Sequence, residues 1–201
     1  MTEKLIKRRN KEKTINLILK VAMELINEKG YDKMSTNHIA DRAKIAIGTV
    51  YHHFPGGKAD IVHEITLNNI KKIVDFDYFN NLNDSNFKEF LNRLIKNHIK
   101  THQENLKIDL AFEQAFLSNR QSFDSYISTI EDQLMISAGV LNKLSIFKHL
   151  TKQELYTKLK ISFILLDSMV HHHTFFIPIF NTDEELVDYL LKLILFTLLK
   201  Y

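Results

Sequence analysis

STNHIADRAKIAIGTVYHHF, Ser35 to Phe54, is the stretch whose reading decides the fold. A Ser at the start of a helix can satisfy an orphan backbone N–H, so Ser35 is expected to cap a helix over Thr36–Ala43. Ile39, Ala40 and Ala43 then lie on one side of it. A second short helix is expected from Ala46 or Ile47 to His53. Two helices of this size joined by a three- or four-residue turn have the geometry of a helix-turn-helix. In that unit the second helix enters the DNA major groove with its N-terminal residues toward the bases.

Upstream, Ile15, Ile18, Leu19, Ala22, Leu25 and Ile26 recur at i, i+3, i+4 and i+7, which predicts an amphipathic helix from Thr14 to Lys29. Gly30 is its expected C-terminal cap, and Tyr31 is expected to pack behind the two-helix unit. Residues 2–13 hold Lys4, Lys7, Arg8, Arg9, Lys11 and Lys13. Such an arm reaches phosphates or the minor groove, or is a solvated tail. Downstream, Pro55, Gly56 and Gly57 read as a turn. Lys58 opens a long helix to about Asn80, with Ile61, Ile65, Ile70, Ile73 and Val74 on its apolar side. The first N–H groups of that helix, with the Lys58 ammonium, form a natural phosphate seat.

The rest of the chain reads as more helices. A polar loop at 80–85 precedes helices at 86–103 and 106–117, a break near Asn119, and a helix from about Ser122 to Asn142. After a loop at 145–150, Thr151 and Glu154 have the spacing of a capping box. The helix they open runs to about Phe176, and Pro178 stops it. Thr182 is expected to cap a last helix with Leu186, Leu190, Leu193, Ile194 and Leu198 facing inward. These two C-terminal helices carry more apolar surface than one small body needs. A four-helix bundle made from two copies would cover it.

Gly (5) and Pro (2) are scarce and no useful length alternates with period two, so the fold class is all-α. A hydrophobic content of 45% suffices for a core. The absence of cysteine excludes disulfides and thiolate metal sites and fits a cytoplasmic location. No signal peptide is visible. The most apolar run, 161–180, is broken by Asp167, three histidines and Pro178, so no membrane span is expected. The net charge of +3 is uneven. Residues 1–58 hold twelve Lys/Arg and six Asp/Glu, a balance of +6, against −3 for residues 59–201. A basic head on a mildly acidic body suits a polyanion at one end.

Ser35, Thr36, Ile39 and Ala40, then IAIGTVYHHF from Ile45 to Phe54, then Lys58, resemble the DNA-binding domain of the TetR family of transcriptional regulators. The likeness covers residues 15–61, and Gly30 and Tyr31 fit it. The resemblance implies a three-helix DNA-binding head at 1–57 and an effector-binding, dimerising body at 58–201. It also implies a homodimer built through the two C-terminal helices, and a small molecule in the body that releases DNA. Lys44 stands where the family often has Gly. Ala46 and Ile47 stand where Ser and then Lys or Arg are common. Ala46 has no oxygen for capping. Ile47 cannot donate to guanine but can touch a thymine methyl, which points to an A·T-rich operator.

For the operator, Thr36, Tyr51 and Lys58 are expected at phosphates and Ile47 and Thr49 at bases, with His52 beside them. Tyr51 also reads as core, and His52 as merely exposed. For an apolar, acyl-type effector, the candidates are Phe112, Phe116, Phe163, Met169, His172 and Phe176. Arg93 and Arg120 could meet an anionic end, or be plain surface residues. A filled core is the competing reading of each Phe. His171, His172 and His173 point about 100° apart and cannot converge on one ion. Asp167 and His171, one turn apart, could share one, but no metal is expected. A pocket or dimer seam, with a pH response, suits this run better. No phosphate loop, serine elbow or HExxH helix is present, so neither catalysis nor a cofactor is expected. Two further readings are a constitutive DNA-binding structural protein without effector, and a helical lipid carrier or enzyme with a vestigial head.

Overall fold

The computed structural model describes residues 3–73, 79–118 and 120–200. Among these the regular elements are helices. In chain order they are α1 (Glu3–Lys29), α2 (Thr36–Ala43), α3 (Ile47–His53), α4 (Lys58–Ile73), α5 (Phe87–Glu104), α6 (Leu106–Ser118), α7 (Asp124–Leu141), α8 (Lys152–Phe175) and α9 (Asp183–Leu199). Short 3-10 turns stand at Arg120–Phe123 and Ser145–Phe147. The expectations placed on Val74 and on the break at Asn119 lie outside the described residues, as do those on the side chains of Lys4, Lys7, Ile70 and Ile73.

The chain divides into two packing units. The first runs to Asn69 and adds Leu106–Tyr126. Its α1 starts earlier than the periodicity from Thr14 predicts and takes in the basic arm. Residues 3–13 lack Gly and Pro and are rich in Glu, Lys and Arg, all good helix formers. An Arg8–Glu12 pair at 3.0 Å adds an i, i+4 contact there. Gly30, at φ +79°, ends the helix and donates its N–H to the Ile26 carbonyl at 2.9 Å. The core of this unit is built from Ile18, Leu25, Ile26, Ile39, Val50 and Ile61, all buried. Phe112 and Phe116 of α6 pack against it with Phe123 and Tyr126.

The second unit takes Ile70–Asn105 and Ile127–Tyr201. Helices α5, α8 and α9 pack on one another around Phe87, Ile95, Phe147, Leu155, Leu186 and Leu190. The capping box forms as the spacing predicts: Thr151 Oγ1 accepts from the Glu154 N–H at 3.2 Å, and the Thr151 N–H donates to Glu154 Oε2 at 2.7 Å. Thr182 caps α9 by accepting from the Glu185 N–H at 3.2 Å. Asp84 fastens the turn after α7: Ser145 Oγ donates to it at 2.6 Å and the Ile146 N–H at 3.2 Å. These bonds hold its carboxyl below the usual range. No described helix is long and apolar enough to cross a membrane.

Candidate nucleic-acid interface

Helix α2 begins as the sequence predicts. Ser35 is extended and its Oγ accepts from the His38 N–H at 3.2 Å. The turn that follows is made by Lys44, in the left-handed region at φ 54°, ψ 44°. Its N–H returns to the Asp41 carbonyl at 3.2 Å, and the Ile45 N–H to that of Ala40 at 3.1 Å. The chain reverses there and presents α3. Ala46 supplies no side-chain bond to α3, as its methyl requires.

The two faces of α3 differ in kind. Val50 is fully buried, and Phe54 just beyond the helix is buried too, so this side is fixed to the core. The other side is open. Ile47 is 39% exposed and Tyr51 48%, His52 is exposed and Thr49 half-buried. Tyr51 is therefore not a core residue. Its hydroxyl lies 3.1 Å from Thr36 Oγ1, at the first residue of α2. The adjoining turn closes on this pair. Gly57 has φ +68°, and a Cβ there would stand 3.6 Å from both Thr36 and Tyr51. The Gly56 N–H donates to Asp60 Oδ2 at 2.6 Å, which pins the turn to the first turn of α4.

Lys58 is anchored toward the protein. Its Nζ donates to the Tyr31 carbonyl at 3.2 Å and stands 4.1 Å above the Tyr31 ring, a cation–π contact. Tyr31 itself is buried, which pushes its phenol up. The six residues expected at DNA thus fall on the helix-turn-helix and the turn after it: Ile47, Thr49, Tyr51 and His52 on α3, Thr36 beside Tyr51, and Lys58 at the start of α4. Sequence reasoning left out His53. Burial lowers its imidazole pKa, and the nearby His52 and Lys11 lower it further. Arg8, Arg9, Lys11 and Lys13 line the exposed start of α1.

A half-open cavity of about 170 Å³ lies in the second unit. Its wall is mainly apolar and comes from α5, α7, α8 and α9 together with Phe79, which precedes α5, and Phe90, Leu134, Phe163 and Leu198 are prominent in it. Ser162 also lines it, and its buried Oγ has no hydrogen-bond partner among the described residues. Of the residues expected around an effector, Phe163 lines this cavity. Met169 is half-buried against the same core. Phe112 and Phe116 belong to the aromatic cluster of the first unit. His172 and Phe176 are exposed and pack on each other at 5.6 Å. Arg93 is exposed and pairs with Glu89 at 2.7 Å, and Arg120 is exposed. Ser162 was legible in principle. It falls on the buried stripe Leu155, Leu166 and Val170, where a hydroxyl is out of place.

Comparison with known proteins agrees with this geometry. Residues 18–65 match the model of the bacterial regulatory proteins, tetR family. No curated protein matches the chain. Among solved structures, the fatty acid degradation regulator FadR from Bacillus halodurans is 22% identical, with a TM-score of 0.57 over 90% of this chain and 94% of that one. The TetR-family regulator PfmR from Thermus thermophilus is 24% identical, with a TM-score of 0.57 over 89% and 96%. A TetR transcriptional regulator from Rhodococcus sp. RHA1 is 17% identical, with a TM-score of 0.61 over 90% and 96%. Residues 18–65 thus carry the likeness to the TetR family, and the chain as a whole shares the fold of the solved regulators of that family.

Proposed function

We propose that the chain is a ligand-responsive repressor that leaves its operator when a small apolar effector, of fatty acyl type, enters the body. The observation that carries the reading is the split character of α3. One side is locked in the core by Val50, and the other offers Ile47, Thr49, Tyr51 and His52 to a groove. Ile47 and Thr49 would read bases, while Thr36, Tyr51 and Lys58 would hold phosphates. Residues 1–57 would serve as the DNA-binding domain and 58–201 as the effector-binding and dimerising body.

A head this small makes few base contacts, so two heads on two half-sites supply the affinity. Helices α8 and α9 favour such a homodimer. They leave Ile164, Tyr189 and Phe196 about half exposed, an apolar surface suited to a bundle with a second copy. The cavity in the second unit supports an effector over a constitutive DNA-binding protein, and its wall suits an alkyl chain. That one fold relative is a fatty acid degradation regulator supports the acyl class. An effector acts by binding more tightly to the state whose head spacing does not match DNA. Such a regulator works in the cytoplasm, with the DNA.

Fluorescence anisotropy against duplexes from the flanking genomic region tests the reading. One duplex should bind in preference to scrambled sequence, with an affinity that falls steeply as salt rises. Medium- and long-chain acyl compounds should then release it. A protein that binds no duplex at low salt refutes DNA regulation. One that binds but ignores every acyl compound refutes the effector class alone.

A further inference from the structure

We propose that His98, His102 and Asp167 form a binding site for one divalent transition-metal ion of the zinc type in the second unit. His98 and His102 are four residues apart on α5, so their imidazoles leave the same face one turn apart. Asp167 comes to them from α8. Its Oδ1 stands 3.3 Å from His98 Nε2 and 3.6 Å from His102 Nε2. One donor atom from each of the three residues lies within 4.8 Å of the others. An ion held tetrahedrally at about 2.0–2.1 Å sets its donors about 3.3–3.4 Å apart. The two measured separations already span that edge.

The setting is enclosed on the side of the imidazoles, while the Asp167 side chain is 46% exposed. The side chains of His98 and His102 are 5% and 13% exposed. His98 Nε2 is buried and within ion-pair reach of Asp167, yet it makes no hydrogen bond of good geometry among the described residues. A buried ring nitrogen without such a bond carries a desolvation cost. Coordination would remove that cost. Two imidazole nitrogens and one carboxylate oxygen suit Zn²⁺, Co²⁺ or Ni²⁺ better than Mg²⁺ or Ca²⁺, which prefer all-oxygen shells. Three protein ligands leave a position for water or an anion.

The run His171–His173 does not build this site. His173 Nδ1 accepts from the Ile179 N–H at 3.0 Å, His172 is exposed, and His171 stacks on Phe175 at 4.3 Å. The proposed site stands one helical turn beyond the apolar cavity along both supporting helices. Leu94 precedes His98 by four residues and Phe163 precedes Asp167 by four, and both line the cavity. The inference is independent of DNA binding and of the effector.

The test uses the full chain, stripped with a chelator and dialysed against Zn²⁺ or Co²⁺. The wild type should retain one ion per chain and unfold at a higher temperature with the ion, since only the folded state assembles the ligands. Bound Co²⁺ should show an intense visible ligand-field band. His102→Gln and Asp167→Asn should each weaken binding by about 100-fold or more, beyond the loss typical of a supporting residue, and remove the band. His172→Ala should leave both unchanged. Imidazole nitrogen NMR of the wild type needs no variant, and the His98 and His102 signals should move on adding Zn²⁺. A wild type that retains neither ion overturns the proposal. So does retention that both variants share, or that leaves those two imidazole signals in place.

Discussion

The Tyr51 phenol and the Thr36 hydroxyl meet at 3.1 Å, fifteen residues apart in sequence, and so join α3 to the first residue of α2. Either hydroxyl can donate in this bond. Whichever accepts keeps its own proton free to donate elsewhere. Gly57 packs against both side chains, so the pair is held from the side as well. The bond adds little to the fold, because Tyr51 is about half exposed, and in the proposed reading it would orient a phosphate contact.

Tyr51→Phe and Thr36→Val should each weaken operator binding by about fivefold, the worth of roughly 1 kcal/mol for one hydrogen bond. The double variant should lose less than the sum of the two, since each partner acts through the other. Urea unfolding should move by less than about 0.5 kcal/mol. Anisotropy titrations on the same duplex measure the first two effects. A double variant with fully additive losses would show that the two hydroxyls contact DNA separately.

Lys44 occupies the left-handed turn at φ 54° with a side chain that strains it. A residue with a Cβ costs about 1–2 kcal/mol there, while Gly adds chain entropy on unfolding. The balance predicts that Lys44→Gly stabilises the chain by about 0.5–1 kcal/mol. DNA affinity should fall modestly through the lost positive charge. Thermal unfolding separates the two, and a Tm that falls would contradict the strain argument.

His63 is half-buried against Phe123 and Tyr126, with ring centroids 5.6 and 5.8 Å away. Its buried Nε2 has no hydrogen-bond partner among the described residues. Burial lowers its pKa, and Glu64 and Asp60 oppose this only in part. The folded state therefore binds the proton less readily than the unfolded chain does. Stability from this residue is complete above the unfolded value near 6.5 and declines as pH falls through the depressed folded value. Unfolding midpoints at about pH 7.5 and about pH 5.5 should differ more for the wild type than for His63→Leu. Equal differences would remove His63 as the cause.

Local signals were legible because each rests on a few neighbouring atoms. Ser35, Thr151 with Glu154, and Thr182 cap as their residue types predict. The spacing of Ile39 and Ala40 placed the buried side of α2. The φ of Lys44 was half legible, since the resemblance showed a missing Gly but not the strain. What the sequence could not show is which helices meet. The histidine run at 171–173 drew attention as a cluster, whereas His98 and His102 gather with Asp167 from a helix more than sixty residues away. Phe112 and Phe116 resembled pocket residues by type, and α6 carries them into the first unit.

Ser162 sets stability against binding. Its Oγ lines the apolar cavity and has no partner among the described residues, so the ligand-free fold carries its desolvation cost. Ser162→Ala should raise unfolding stability by about 1 kcal/mol. If the hydroxyl meets the polar end of an effector, the same change should weaken effector binding by a similar energy, roughly fivefold. Ser162→Leu should go further, fill part of the cavity and hold the protein on its operator in the presence of acyl compounds. Calorimetric unfolding and effector-release curves on the same preparations measure both sides. A Ser162→Ala protein that is less stable than the wild type would mean that the hydroxyl is already satisfied, for instance by a buried water, and is not waiting for a ligand.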